Sequence, residues 1–314
     1  MVTHALPARS HGSKIASGVW RVADPKITLA SVAAMILGVG LAAWRGPLDY
    51  GWLALTVLGV FCVEAAKNAS GEIFDWDSGV DADVRDDERS PFSGGKRVIV
   101  DGLLTRAETA IVAAVFYTIA IAVGLAIVTQ RAPGVLWLGM AGVALAFFYH
   151  APPLRLAYRG LGELAVALAY GPVIVGGTYL VQRGSLDGLV FLASAPLALA
   201  LGAFLWINEL PDARADAAAG KRTLVVQLGR ARAARAFVAI IAAAYLLVAL
   251  LPLAGFPVTV WFGMIGLPHA AFAAQRLVRD PTHVTWIVPA QAWTLLSFLL
   301  MAIGLGAGLV IASI

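Results

Sequence analysis

KNASGEIFDWDSGVDADVRDDERSPFSGGKRV (residues 67–98) runs without a break out of a long apolar segment and carries eight carboxylates between Glu72 and Glu88. A second stretch, NELPDARADAAAGKRTLVVQLGR (208–230), repeats the arrangement with Asn208 standing 140 residues after Asn68, again where an apolar segment ends. Acid at the end of a greasy segment needs a reason. A charge carried toward the centre of a bilayer costs about 2.5–3.5 kcal/mol even on a lenient insertion scale.

The rest of the chain shows that the bilayer is the right reference. Of its 314 residues 60% are apolar and 13% charged, and the mean hydropathy is +0.82; soluble domains carry roughly a quarter charged residues. This excludes an ordinary soluble protein and implies a polytopic membrane protein. A spanning helix takes about 20 apolar residues. Nine spans are expected, at 27–44, 51–70, 107–128, 133–150, 161–182, 187–208, 233–254, 257–275 and 288–312. The expected fold is therefore an all-α bundle of nine transmembrane helices, with residues 1–26 a cytoplasmic segment and 27–314 a single polytopic domain. Basic residues near the N-terminus are not followed by an apolar run and a small-residue cleavage site, so no signal peptide is expected. The single cysteine, Cys62, excludes an intrachain disulfide and reads as a core residue.

Lys and Arg alternate between the two ends of these spans. The N-terminus and the connections at 67–106, 151–160, 209–235 and 276–287 hold 20 of the 23, leaving Arg45, Arg131 and Arg183 for the other side. The positive-inside rule puts the N-terminus and both acidic stretches in the cytoplasm and the C-terminus outside. The sequence pI of 9.4 thus reports topology, and no nucleic-acid partner is implied.

Both acidic stretches begin inside helices. At about 100° per residue, Glu64, Asn68, Glu72 and Asp75 fall at roughly 0°, 40°, 80° and 20°, and Asn208, Asp212 and Asp216 at roughly 0°, 40° and 80°. Each helix thus presents a narrow polar face. Facing carboxylates repel unless cations lie between them, and hard oxygen ligands suit Mg²⁺, which prefers a few carboxylates together with substrate phosphates. Arg89, Lys96 and Arg97 follow the first set of acids, and Lys221 and Arg222 the second. Cations beside metal-ligating carboxylates are what a diphosphate requires. Asp83, Asp86, Asp87 and Glu88 share no helical register and read as a solvated run.

At these residues the chain resembles the UbiA superfamily of intramembrane prenyltransferases, whose pattern has two Asp-rich motifs on the second and sixth of nine helices. NASGEIFDWDSGVD (68–81) resembles the first motif in the form found in the 1,4-dihydroxy-2-naphthoate branch. NELPDARADAAAGKRTLVVQLG (208–229) resembles the second. YHAPPLRLAYRGLGELAVALAYGPVIVGGTY (149–179) and DPKITLASVAAMILG (24–38) are similar to that branch's central segment and to the family's opening helix. The resemblance implies Mg²⁺-dependent transfer of a prenyl group from an allylic prenyl diphosphate to an aromatic acceptor within the cell membrane, in quinone biosynthesis of the menaquinone type. It implies metal ligation by Asn68, Glu72, Asp75, Asp81, Asn208, Asp212 and Asp216, and diphosphate binding by Arg89, Lys96, Lys221 and Arg222. Tyr149 and Arg155 would meet the allylic cation or the diphosphate, and Tyr158 and Arg159 match the branch pattern. His150 and Glu163 lie at the same membrane boundary, with a structural and a site role both open. Lipids and a lipophilic donor would be the partners, on the cytoplasmic side.

The pattern breaks once. Where the family has Asn-Asp, this chain has Gly71-Glu72. Glu72 is expected to ligate through its longer arm, with Gly71 relieving that turn and Asn68 or Asp77 taking the place of the missing amide. Other acceptors remain open: 4-hydroxybenzoate, homogentisate, a lipid alcohol or a sugar phosphate. A transporter that moves ions over intramembrane carboxylates is the alternative from another class, although its sites are expected near mid-bilayer, and these acids sit at helix ends. A catalytically silent prenyl-lipid binder is the third.

Overall fold

The protein, analysed as a computed structural model, is described here for residues 11–80, 90–93 and 95–314, without the side chains of 25–27. Asp81 and Arg89, two of the expected site residues, lie outside the described residues.

The described residues form a bundle of helices. In chain order these are α1 (His11–Ala23), α2 (Pro25–Arg45), α3 (Tyr50–Ser78), α4 (Arg106–Gln130), α5 (Val135–Phe148) and α6 (Gly162–Leu168). After a π-helical turn at Ala169–Val175 come α7 (Gly176–Arg183), α8 (Gly188–Ala218), α9 (Leu224–Leu228), α10 (Arg230–Leu250), α11 (Leu267–Arg279) and α12 (Val284–Ile311). Among the described residues seven helical stretches are long and apolar enough to cross a bilayer, including α3, α8 and the combined run Gly162–Arg183. The other two expected spans take different forms. α5 is apolar but has 14 residues, about 21 Å of helix against a hydrocarbon core of about 30 Å. The expected span at 257–275 is split between a 3₁₀ stretch, Val258–Gly266, and α11, which starts with Pro268 in its first turn.

The ends of α3 and α8 explain where the acid lies. Asp49 caps α3 by accepting the N–H groups of Gly51 and Trp52, and Asp187 caps α8 by accepting that of Leu189. Asn68 and Asn208 follow these caps by 19 and 21 residues, a rise of about 28 and 31 Å. One bilayer thickness therefore separates each cap from the first residue of its motif. Both helices continue for about ten residues more, and those turns carry the acids.

The caps mark one end of the bundle, and the three exceptional arginines gather there. Arg45 pairs with Asp187 at 3.3 Å, Arg131 donates to the carbonyls of Val181 and Gln182 at 2.9 and 3.0 Å, and Arg183 donates to the carbonyl of Pro47.

The main core joins α2, α8, α10 and α12 through Leu37, Leu201, Ile207, Phe237, Phe298 and Leu305. Lipid is as apolar as these side chains, so helix association rests on close packing. α12 achieves it with glycine. A Cβ on Gly304 would lie 2.1 Å from the carbonyl oxygen of Phe262, and one on Gly308 equally close to that of Thr259. Gly304→Ala is expected to destabilise the protein by about 1–3 kcal/mol, because the obstructing atom is backbone. Gly124→Ala, which meets nothing within 4 Å, is expected to leave the unfolding midpoint in detergent unchanged; thermal denaturation of the two variants checks this.

Candidate active site

The polar faces of α3 and α8 meet across one opening. A cavity of about 990 Å³ is lined by Asn68, Glu72 and Asp75 from α3 and by Asn208, Asp212 and Asp216 from α8. Lys96, Lys221, Tyr149 and His150 line it as well. Pro211 lies between the first two acceptors of α8 and offers no N–H to the preceding turn. A second cavity of about 610 Å³, almost wholly apolar, lies between α3, α4, α5 and the π-helical turn. Among the described residues only Lys67 and Tyr149 line both cavities.

Within the acidic mouth each carboxylate has its own surroundings. Asp75 accepts the Tyr158 hydroxyl at 3.0 Å, and the same hydroxyl lies 2.9 Å from Ser78 Oγ. Burial and the charge of Asp75 raise the Tyr158 phenol, which stays protonated and donates. His150 Nε2 stands 3.5 Å from the other oxygen of Asp75. Asp216, 1% exposed, pairs with Lys221 at 3.2 Å. Burial opposes the ammonium of Lys221, but Asp216 and Asp75 outweigh it and hold the group well above its ordinary value. Lys221 is thus charged throughout the neutral range.

Glu72 does something else. One oxygen accepts the backbone N–H of Lys96 at 2.6 Å and of Arg97 at 3.0 Å, and the other accepts that of Val98 at 2.7 Å. Where a metal ligand was expected, the carboxylate holds the loop 96–98. Asn68 is likewise engaged, its amide donating to the carbonyl of Val22 at 2.9 Å. Lys96, expected at a diphosphate, forms an ion pair with Asp24. Asp77 points elsewhere, in a two-bond pair with Arg106 at 2.9 and 2.8 Å.

Gly71 also has a reason other than the one expected. A Cβ there would lie 2.8 Å from Cε1 and 2.9 Å from Nδ1 of His150, so glycine makes room for the imidazole that faces Asp75. Restoring Asn-Asp at 71–72 would therefore displace His150 and release the loop together.

The remaining expected residues lie apart from the mouth. Arg155 stacks on the Tyr158 ring at 4.1 Å, and Arg222 is exposed on the loop before α9. Arg159 donates to the carbonyl of Pro153 at 2.9 Å. Glu163 accepts the N–H of Leu224 at 2.8 Å and so supports the start of α9. Glu64, expected on the same face as the first motif, lines the apolar cavity instead and accepts the Tyr170 hydroxyl at 2.7 Å. Lys67 was not foreseen as a site residue; its place beside Asn68 in the sequence was the available signal.

Among the described residues no three His, Cys, Asp or Glu side chains converge closely enough to hold a metal alone. The donors nonetheless fit a hard divalent cation. Asn208 Oδ1 is buried without a hydrogen-bond donor, Asp216 Oδ2 likewise, with Lys221 beside its Oδ1, and the set offers oxygen rather than sulfur. Such a cation would complete its shell with water or phosphate oxygen.

This geometry belongs to a polytopic membrane protein with an acidic mouth beside an apolar chamber. The pattern of the UbiA prenyltransferase family matches residues 31–299. The chain is 30% identical over 293 residues to a 1,4-dihydroxy-2-naphthoate octaprenyltransferase of Mycobacterium tuberculosis, covering 91% of this chain and 94% of that one. It is 27% identical to the protein of that name from Bacillus subtilis, covering 91% of each. In fold it is similar to a UbiA homologue from Archaeoglobus fulgidus bound to GPP and Mg²⁺, with a TM-score of 0.64, 15% identity, and 93% and 99% of the two chains covered. The chain belongs to the UbiA prenyltransferase family, and it is a membrane-embedded prenyltransferase.

The geometry of Glu72 makes a specific prediction. In Glu72→Gln one acceptor oxygen becomes a donor, so at least one of the three backbone N–H groups loses its partner. Exchange of the Lys96–Val98 amides, followed by hydrogen–deuterium mass spectrometry, is expected to quicken about tenfold or more, the worth of one hydrogen bond to a charged acceptor. Exchange in α12 should not change.

Proposed function

We propose that the protein transfers a prenyl group from an allylic prenyl diphosphate to a hydroxylated naphthoate, in the Mg²⁺-dependent manner of quinone biosynthesis, on the cytoplasmic side of the cell membrane. The observation that carries this reading is the junction of the two cavities. Carboxylates of α3 and α8 surround a mouth that adjoins an apolar chamber, with Lys67 and Tyr149 lining both. An amphiphile with an anionic head and an isoprenoid tail has both of its environments there. The naphthoate acceptor is favoured by the names of relatives that match over nine-tenths of the chain.

In this reading Asp75, Asp212 and Asp216 hold the metal, with Asn208 and Asn68 beside them and Asp81 as a further candidate outside the described residues. When bound, Mg²⁺ neutralises the leaving diphosphate as a Lewis acid. Lys221 holds a diphosphate oxygen from the loop after α8, kept charged by its buried partners. Lys96 shares that task once its pair with Asp24 opens. Tyr158 fixes the orientation of Asp75, and Arg155 acts through Tyr158 as a positioning residue. Tyr149 presents its ring at the neck, where an aromatic face stabilises developing positive charge on the allylic carbon. The apolar walls keep water from that carbon. Glu72 holds the loop and leaves ligation to Asp75.

Prenyl transfer by the purified protein is expected to cease in EDTA and to return with Mg²⁺. Asp75→Ala and Asp212→Ala should each lower kcat by about 10²-fold or more with folding retained, since each removes a donor from a separate helix. Full turnover in EDTA, or in both variants, would sink this reading. For the orientation, a reporter fused after Lys221 should register cytoplasm and one after Arg183 the opposite side; the reverse pattern would move the site to the other face.

A further inference from the structure

Lys67 stands on α3 one residue before Asn68 and nearly one turn after Glu64, and it lines both cavities. The other cations that line the mouth among the described residues are paired. Lys96 has Asp24, Arg21 and Arg97 have Asp101, and Lys221 has Asp216. Among the described residues Lys67 has no carboxylate within ion-pair distance. Its Nζ donates to Asn68 Oδ1 at 3.4 Å and lies 5.3 Å from the centre of the Tyr149 ring. Glu64 acts on it only at longer range, with Oε1 taken by Tyr170 at 2.7 Å. An ammonium on a membrane helix without a paired anion is costly, and this one borders open volume.

We propose that Lys67 binds the carboxylate of the aromatic acceptor and so determines which acceptors are used. This inference rests on the naphthoate reading above. Depth separates Lys67 from Asp75. It precedes Asp75 by eight residues, about 12 Å along α3, and so lies on the apolar side of the metal-ligating set. Lys221 already serves the outer end. Tyr149 and Tyr170 offer aromatic walls to a bicyclic ring, and its single carboxylate matches a single ammonium. Glu64 Oε2, buried and without a hydrogen-bond partner, supplies an acceptor for a ring hydroxyl in the same cavity. A cation for the carboxylate and an acceptor for the hydroxyl together describe a hydroxylated aryl carboxylate.

The experiment compares the full-length wild type with Lys67→Met and Lys67→Arg, using 1,4-dihydroxy-2-naphthoate and its carboxyl-free counterpart 1,4-dihydroxynaphthalene. Binding is read first, by quenching of tryptophan fluorescence without prenyl diphosphate. Lys67→Met should weaken naphthoate binding about tenfold or more and leave the diol unaffected, while Lys67→Arg retains most of the difference. In turnover, Lys67→Met should raise KM for the naphthoate by a similar factor without changing KM for the prenyl diphosphate. Equal loss for both ring compounds, or a raised KM for the diphosphate alone, would overturn the proposal. A thermal midpoint of Lys67→Met equal to the wild type's separates ligand loss from misfolding; if it falls, the Lys67→Arg variant decides, and its failure to keep the carboxylate preference overturns the proposal. Wild-type protein that binds the naphthoate through Lys67 but does not prenylate it refutes the acceptor reading alone. Absence of binding refutes both.

Discussion

Three backbone N–H groups ending on the one carboxylate of Glu72 hold the mouth in shape. A loop folded back at the edge of a bilayer cannot leave its amides to water, and each unpaired one would cost as much as a lost hydrogen bond. The carboxylate meets that requirement for consecutive residues at once. The loop in turn places Lys96 against Asp24 and Val98 in a small core with Val22, Leu104 and Ala113. Asn68 adds its bond to the carbonyl of Val22. Through these contacts α1, which lies before the first span, becomes part of the wall around the acids. One side chain therefore couples the surface helix, the basic loop and the polar face of α3.

Length decides the rest of the placement. Each acidic helix is capped at one end and reaches its motif about one bilayer thickness later, so the motif acids lie in the turns beyond that length, while Glu64 alone of the described acids of α3 lies before them. The chamber below them owes its form to a different local rule. Pro172 interrupts the helical ladder, and the chain passes through a π-helical turn there, a distortion often found where a helix lines a functional cavity. Tyr170 in that turn reaches Glu64 on α3, closing the floor of the neck with a hydrogen bond between two otherwise apolar walls.

The sequence made the architecture legible because its signals are long and repetitive. Apolar runs of about 20 residues, the basic residues between them and the phasing of Asn208, Asp212 and Asp216 each rest on many positions agreeing. The two departures were at α5 and at 258–279, where a hydrophobic run of suitable length says nothing of how glycines and Pro268 divide it. Within the site, phasing found the face but not the partner of each member. Glu72 and Asp75 share a face of α3, yet one serves backbone amides and the other meets Tyr158 and His150. That difference comes from the loop 96–98 and the segment after α5, which are distant in sequence. Lys67 was hidden for the same reason: a lysine beside a polar motif is a topology marker until the cavity on its other side is known.

The break in the family pattern acquires a physical account once His150 is included. An amide at position 71 would occupy the space of an imidazole that stands 3.5 Å from Asp75. A shorter acid at position 72 would not span the distance to three amides of the facing loop. Gly71 and His150 thus fit one another, and Asp75 is met by a ring from the segment after α5 instead of an amide from α3. A side chain at position 71 would clash with His150, and loss of the Glu72 carboxylate would leave backbone amides of 96–98 unpaired. The departure is therefore a rearrangement of support around Asp75, and the acid that both helices' geometry brings to the centre of the mouth keeps its place.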